Sequence, residues 1–304
     1  MKQATTIDKQ IDILRSRNVI ISDEEKAKEI LLDIGYYRLG FYFFPFEETF
    51  PSLDNRTHLM KVGTRFEYAV YLYYFDCDIR NILMRYISRI EVSFRTYTTY
   101  ILSNKYVANP YWFVDNKVVT KKYINDFDDK YYSVIRNNEA IRKHHIIHPD
   151  EKYAPAWKTL EFMTMGNMVY LYRNLVELTD KRIISEHFGI ERPEILENYL
   201  EVLRSIRNIC AHGSVLYRTH LFHRIRRGPL KFESNIECQS LGGAIKIIAY
   251  IMGIISQNRQ HEMIISLNEV YRKAIKNATS IKDIIIDNTV MSWDLHDISR
   301  LETK

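Results

Sequence analysis

The sequence predicts an all-α protein, and three observations indicate this. The chain of 304 residues contains only 10 Gly and 7 Pro, so few positions would interrupt a helix. Apolar residues recur at helical spacing over long segments, and residues 64–106 contain neither Pro nor Gly. The composition, 46% hydrophobic and 27% charged, is typical of a globular chain. We expect a four-helix core over residues 64–227, an N-terminal helical and aromatic segment at 1–63, and a C-terminal helical extension at 228–304.

The N-terminal segment reads as two helices followed by an aromatic stretch. Residues 6–18 form the first, and the second opens at "SDEEKAKEILLDIG", where Ser22 and Glu25 have capping-box spacing and Gly35 supplies the stop. The aromatics of "YYRLGFYFFPFEETF" could stack nucleobases, but a buried plug between helices is the preferred interpretation. Residues 50–62 form a loop.

Seven further helices are predicted from periodicity. Thr64, three residues before Glu67, can cap a long helix that ends near Tyr106. The other six cover about 120–142, a segment from Pro155 to 175, 180–188, a segment from Pro193 to 216 and, after Gly228-Pro229, residues 241–256 and 261–278.

Charge and cysteine usage narrow the class of protein. The net charge of +5 and pI near 8.8 weakly favour a polyanionic partner. Cys77, Cys210 and Cys238 are widely spaced without a CxxC pair, which argues against a disulfide framework or a zinc site and suits a reducing cytoplasm. The start lacks the apolar core of a signal peptide, and the apolar segment 244–255 is too short to span a membrane. We therefore expect a cytoplasmic protein that does not bind membranes.

The stretch "RSIRNICAHGSVLYR", residues 204–218, contains the candidate catalytic residues. On a helix, Asn208 and His212 share the polar face with Arg204, and Arg207 lies where the polar and apolar faces meet. Arg207 and His212 are then about 140° apart, so one helix brings them together poorly. An Arg followed four to six residues later by His occurs four times in the chain, and spacing alone therefore favours ordinary solvated side chains.

The wider context changes this interpretation. "LRSIRNICAHGSVLYR" resembles the HEPN superfamily signature, Arg-polar-x-x-x-His, in the form carried by the Abi-like (abortive infection) family. Segments similar to that family occur in its order at residues 34–46, 66–83, 89–106 and 155–175, so the resemblance covers roughly residues 7–218. One departure is Gly213, where the family often has a second histidine.

The resemblance implies a HEPN-type four-helix bundle and a metal-independent endoribonuclease of the toxin or phage-defence type. Arg207, Asn208 and His212 would be catalytic, and no cofactor or metal is expected. The chemistry suits these residues, because RNA carries its own nucleophile, histidine can move a proton, and arginine can hold a phosphate. HEPN nucleases generally set two motif helices side by side, so one motif per chain implies a homodimer.

Basic residues around the motif are candidates for RNA-backbone contact, and a solvated basic face is the alternative. They are Arg204, Arg218, Arg224, Arg226, Arg227 and Lys231. An RNA or protein partner is expected to restrain the activity. Two other functions stay open, a HEPN-fold RNA-binding protein that does not cut and a helical protein-interaction module.

Three other features favour structural interpretations. His144 and His148 could bind a metal if helical, but "RKHHIIH" is better explained as loop histidines. Glu91 and Arg95 are expected to form an intrahelical ion pair. Trp157 is expected in the core.

Overall fold

The computed structural model describes residues 3–291, and it is all-α, as the sequence predicts. Within these residues, β-pairing is limited to isolated β-bridges between single residues. The helices are α1 (Ile7–Ser16), α2 (Glu24–Asp33), α3 (Tyr36–Phe43), α4 (Phe66–Lys105), α5 (Lys121–Asp126), α6 (Ser133–Ile135), α7 (Glu139–Ile147), α8 (Ala156–Thr159), α9 (Met165–Arg173), α10 (Leu178–His187), α11 (Pro193–Ala211), α12 (Leu241–Ile255), α13 (Gln257–Asn277) and α14 (Lys282–Thr289). No helix within residues 3–291 is long and apolar enough to cross a membrane.

The long helix predicted from residue 64 is the central element of the protein. This helix, α4, has 40 residues and extends about 60 Å at the usual rise per residue. It packs against α3, α11, α12 and α13. The predicted cap at Thr64 is wrong: Arg65 takes the N-cap position, and the Thr64 hydroxyl donates to the Lys61 carbonyl at 2.7 Å. The predicted Glu91–Arg95 ion pair is confirmed at 3.0 Å.

Helix α11 lies among α4, α9, α10 and α12. The helical pattern places six apolar residues on one side of α11; five of them are buried, Ile195, Leu196, Tyr199, Leu203 and Ile206, and the sixth, Cys210, is half-buried. This burial turns the opposite, polar side of α11 outward. The helix ends at Ala211, five residues before the predicted end.

Two predicted helices are broken in the structure. The helix expected over 120–142 is divided into α5, a π-helical segment at Phe127–Tyr132, α6 and the first residues of α7. The helix expected from Pro155 stops at Phe162 and restarts at Met165, because the Thr164 side chain caps a new helix by accepting from Asn167 N–H. The Met163 carbonyl at this break accepts a 2.8 Å hydrogen bond from Arg95.

The aromatic stretch is the buried plug that the sequence predicts. Its buried members are Leu39, Tyr42, Phe43, Phe44 and Phe46. Tyr37 and Phe41 are different, because both are exposed on α3 with their rings 5.2 Å apart. The Ser22 capping box is wrong, since Asp23 caps α2. Trp157 is 57% exposed, so its predicted core position is also wrong.

The C-terminal helices pack onto the central helix. Both α12 and α13 contact α4, and α12 also contacts α11. Helix α13 starts at Gln257, four residues before the predicted start, because the Ser256 side chain caps it. Buried side chains from Ile11 to Met291 form one hydrophobic cluster that includes all three predicted segments. Packing in this cluster fixes the position of α11 and the chain that follows it.

Candidate functional site

The motif residues lie at the C-terminal end of α11. Arg207 and Asn208 are half-buried in its last turns, and the Arg207 Nη1 atom is 3.5 Å from Asn208 Oδ1. His212 is the exposed C-cap residue, and its N–H donates to the Asn208 carbonyl at 3.0 Å. No hydrogen bond joins Arg207 to His212 within the described part of the chain. The structure thus places Arg207 beside Asn208 and leaves the imidazole at the surface.

A Schellman turn explains why the helix stops at this point. Gly213 has φ +65°, in the left-handed region that side chains with a Cβ rarely adopt. Gly213 N–H donates to Cys210 O and Ser214 N–H donates to Ile209 O, which is the hydrogen-bond pattern of this cap. Glycine at this position therefore has a structural role, and this explains the departure noted at Gly213 from the sequence pattern that the chain resembles.

A buried carboxylate holds the chain that leaves this turn. The Asp76 side chain is 0% exposed and accepts hydrogen bonds from Leu216 N–H, Tyr217 N–H at 2.6 Å and the Tyr42 hydroxyl at 2.8 Å. Burial raises the pKa of Asp76, and these hydrogen bonds and the charge of Arg80 oppose that rise. We call Asp76, Tyr42, Leu216 and Tyr217 the Asp76 clamp.

Two guanidinium groups hold the turn itself. Arg38 of α3 donates to the Gly213 carbonyl at 2.7 Å, and Arg80 of α4 donates to the Ser214 carbonyl at 3.2 Å. Arg80 is also 3.9 Å from Asp76. Sequence reasoning missed Arg38, Asp76 and Arg80 as site residues. The available signal was an Asp and an Arg four residues apart on the apolar side of α4.

The cysteine within the motif lies against the same charges. Burial, followed by the negative charge of Asp76, raises the pKa of Cys210 to about 12. Its thiol is therefore protonated at neutral pH, and it is a poor nucleophile. The titratable side chain at the exposed end of α11 is His212.

The residues that form this site lie in a part of the chain that matches a known protein family. Residues 29–218, more than half of the chain, match the model of the Abi-like protein family. The chain belongs to the Abi-like family. The matched residues include Arg38, the Asp76 clamp and the whole of α11. Searches of curated proteins and of solved structures gave no match.

In this Abi-like protein, Arg204 is part of an ion-pair network. Its guanidinium lies 2.7 Å from Glu201, and Arg173 of α9 bridges Glu201 and Glu197. The Arg204 stem also packs over Gly166 of α9. The network ties α9 to α11, which is a structural role for a residue that the sequence marks as a candidate RNA contact.

The predicted RNA-contacting segment folds back along α11. Arg218 is half-buried, with its guanidinium 4.8 Å from the centre of the Phe44 ring. Arg224, Arg226, Arg227 and Lys231 are exposed. Asn198 binds the backbone at both Arg224 and Arg226. Because Asn198 precedes His212 by 14 residues on α11, these arginines lie about 21 Å from the motif histidine.

The histidine-rich stretch is helical, so the predicted loop is wrong. His144 and His145 lie in α7, and His148 is its C-cap. His144 Nε2 is 2.8 Å from Glu151, and His148 is 3.6 Å from the same carboxylate. In residues 3–291, no group of three or more His, Cys, Asp or Glu is arranged to hold a metal ion.

Proposed function

We propose that this Abi-like protein is an endoribonuclease that cleaves RNA without a metal ion, with Arg207, Asn208 and His212 in its active site. The observation that carries the proposal is the exposed imidazole of His212 on a turn held by Arg38, Arg80 and the Asp76 clamp. Such fixing favours catalysis, because a proton-transfer group must be held near the reacting atoms. Family membership is consistent with a role in phage defence.

The proposed reaction uses the nucleophile that RNA carries. The 2'-oxygen forms a bond to the adjacent phosphorus while the bond from phosphorus to the 5'-oxygen breaks. A base takes the proton of the 2'-OH, and an acid gives a proton to the departing 5'-oxygen. The products are a 2',3'-cyclic phosphate and a 5'-hydroxyl. His212 serves in proton transfer, and the Arg207 guanidinium binds the phosphate on which negative charge develops.

Arg207 and Asn208 fit supporting roles in this scheme. Arg207 is half-buried, and its donors lie close to Asn208 Oδ1. Asn208 lies one turn before His212 on the same helix, and its side chain can orient the imidazole or donate to a phosphate oxygen. We further propose that a second copy of the chain completes the site and that an RNA or protein partner restrains the activity.

The first test is cleavage of single-stranded RNA in the presence of EDTA. We expect cleavage to persist and to leave a 2',3'-cyclic phosphate or its hydrolysis product, because the 2'-oxygen attacks without a metal ion. DNA, which lacks the 2'-OH, should stay intact. Loss of cleavage on chelation and its return with magnesium would contradict the mechanism.

Substitution of the motif residues tests the assignment. His212→Ala and Arg207→Ala should each reduce the cleavage rate at least about 100-fold, the usual contribution of acid–base catalysis. The temperature of thermal unfolding should change little in both variants, because His212 is exposed and Arg207 is half-buried. His223→Ala is a matched control, since exposed His223 follows Arg218 at the same spacing. If either motif variant cleaves RNA at the wild-type rate, that residue does not belong to the active site. If the wild-type protein binds RNA but leaves it uncut, the non-cleaving function is favoured.

A further inference from the structure

A basic cavity lies at the opposite end of α11 from the motif. Its volume is about 530 Å³, and buried Ile195, Ile225 and Cys238 form its apolar floor. The rest of its lining is charged and consists of Arg192, Glu194, Arg224, Arg226 and Arg227. We call this the arginine cavity.

The charges in the arginine cavity are unbalanced. Four guanidinium groups face one carboxylate, and Glu194 lies 3.9 Å from Arg192. Within residues 3–291, no carboxylate forms an ion pair with Arg224, Arg226 or Arg227. The Arg224 side chain does donate to Asn235. The cavity thus presents a concentration of positive charge that its own residues do not neutralise.

The backbone that carries these arginines is held in place. Asn198 donates to the Arg224 carbonyl at 3.0 Å and accepts from Arg226 N–H at 2.8 Å. Arg192 donates to the Arg227 carbonyl at 2.9 Å, and Ile225 N–H donates to Cys238 O at 2.8 Å. Fixed backbone positions reduce the ordering that a ligand must impose when it binds.

We infer that the arginine cavity binds a phosphate group of the RNA backbone, at a site separate from the one where the RNA is cut. Guanidinium groups bind phosphate oxygens through paired hydrogen bonds, and several together suit a polyanion. The cavity residues at the start of α11 precede His212 by 17 to 20 residues, so the cavity lies about 25–30 Å from His212 along the helix, and one RNA strand would contact both. This inference rests on the proposed RNA substrate but not on cleavage. Arg192, which sequence reasoning did not select, becomes a binding residue.

The consequence is a dependence on RNA length. A strand that spans both sites gains affinity from the cavity, whereas a strand that is too short to span them reaches the motif without that gain. Replacing the cavity arginines should therefore weaken the binding of long RNA and leave the cleavage rate of short RNA unchanged. The chemistry at His212, including the cyclic phosphate product, should also be unchanged.

Binding is measured first, in chains that carry His212→Ala so that the RNA stays intact. The probe is a labelled single-stranded RNA of about 16 nucleotides, the upper range of single-strand site sizes. Arg192→Gln with Arg226→Gln should weaken its binding at least about tenfold and lower the slope of log affinity against log salt by about 1.4, because each lost phosphate contact changes the slope by about 0.7. Arg89→Gln with Arg182→Gln is the control, since both arginines are exposed and the change in net charge is the same. Thermal unfolding of each variant checks its fold.

Cleavage is measured next, with the catalytic residues intact. The double cavity variant should lower kcat/KM for the RNA of about 16 nucleotides and not for one of about 4 nucleotides. If the cavity variant binds RNA with unchanged affinity and an unchanged slope of log affinity against log salt, the inference is overturned. An acidic protein would then be the alternative ligand of the cavity. If the protein binds RNA through the cavity but never cuts it, the inference stands and the proposed nuclease activity fails.

Discussion

At the scale of single residues, Asp76 shows how a buried charge can serve a surface site. Its carboxylate is fully buried, and it binds backbone N–H groups that lie 140 residues or more later in the chain. It accepts hydrogen bonds from two successive N–H groups and from a tyrosine hydroxyl. A buried carboxylate is stable only when donors surround it. The donors here belong to the chain just after the motif, so the requirement of Asp76 for hydrogen bonds fixes the turn that carries His212.

Replacing this carboxylate should loosen the turn. Asp76→Asn removes one acceptor oxygen and leaves at least one buried donor without a partner, so the free energy of unfolding should fall by about 1–3 kcal/mol. Asp78→Asn is the matched control, because Asp78 is partly exposed on the same helix and 3.7 Å from Lys273. That variant should stay within about 0.5 kcal/mol of wild type. Denaturant unfolding measures both, and equal losses in the two variants would show that the Asp76 clamp does not stabilise the turn.

The motif was visible in the sequence, but the residues that hold it were not. Arg207, Asn208 and His212 lie within six residues, so a local pattern identifies them. Arg38 and Asp76 act on backbone atoms 175 and 140 residues away. A single sequence carries no record of which carbonyl or N–H a distant side chain will bind, because that choice depends on how α3, α4 and α11 pack.

At the scale of elements, periodicity predicted the helices well where one apolar side is continuous, as in α4 and α11. It failed where competing local hydrogen bonds decide. Thr164 caps a new helix inside a predicted one, and Gly213 ends α11 before its predicted limit. At residues 120–142, the apolar pattern does not distinguish an α-helix from the π-helical turn that interrupts it.

The segment that carries the cavity arginines depends on one close approach. A Cβ on Gly228 would lie 2.7 Å from Ile195 Cγ2 and 3.1 Å from the Tyr199 hydroxyl. Ile195 is β-branched and buried, so it cannot easily move away. Gly228→Ala should lower the free energy of unfolding by about 1–3 kcal/mol, as overpacking does. It should also weaken RNA binding at the arginine cavity.

A matched glycine substitution separates crowding from a general effect of alanine. Gly40 lies inside α3, and a Cβ there would meet nothing within 4 Å. Gly40→Ala should raise the free energy of unfolding by about 0.5–1 kcal/mol, because alanine favours helix. Thermal or denaturant unfolding measures both variants. A Gly228→Ala protein as stable as wild type would show that the segment adjusts freely around Ile195.

At the scale of the whole molecule, composition and periodicity were enough to predict the all-α class. The division at residues 64–227 stays a prediction, as does the HEPN-type arrangement of the core. Helices α12 and α13 pack on α4 within the same hydrophobic cluster as α11. Periodicity reveals that such helices have an apolar side, but it does not reveal which neighbour covers that side.

The two motif residues are placed in a way that favours a shared site. Arg207 is half-buried and His212 is exposed at the helix end, so the motif of one chain presents one imidazole, whereas the proposed reaction needs both an acid and a base. Exposed Tyr37 and Phe41 lie on α3, the helix whose Arg38 binds the carbonyl after His212. Exposed aromatic side chains beside a site are typical of an interface between subunits.

We therefore expect a homodimer that is related by a two-fold axis beside α11 and is inactive when separated. Adding an excess of His212→Ala chains to wild-type chains should lower activity per wild-type chain, because mixed dimers lack one imidazole. Tyr37→Asp with Phe41→Asp should give monomers that do not cut RNA, whereas Tyr100→Asp should not, since Tyr100 is 63% exposed near the far end of α4. Light scattering gives the mass of each protein in solution. A monomer that cuts RNA at the full rate, or wild-type chains unaffected by the excess, would show that each chain works alone and that the second proton-transfer group lies within it.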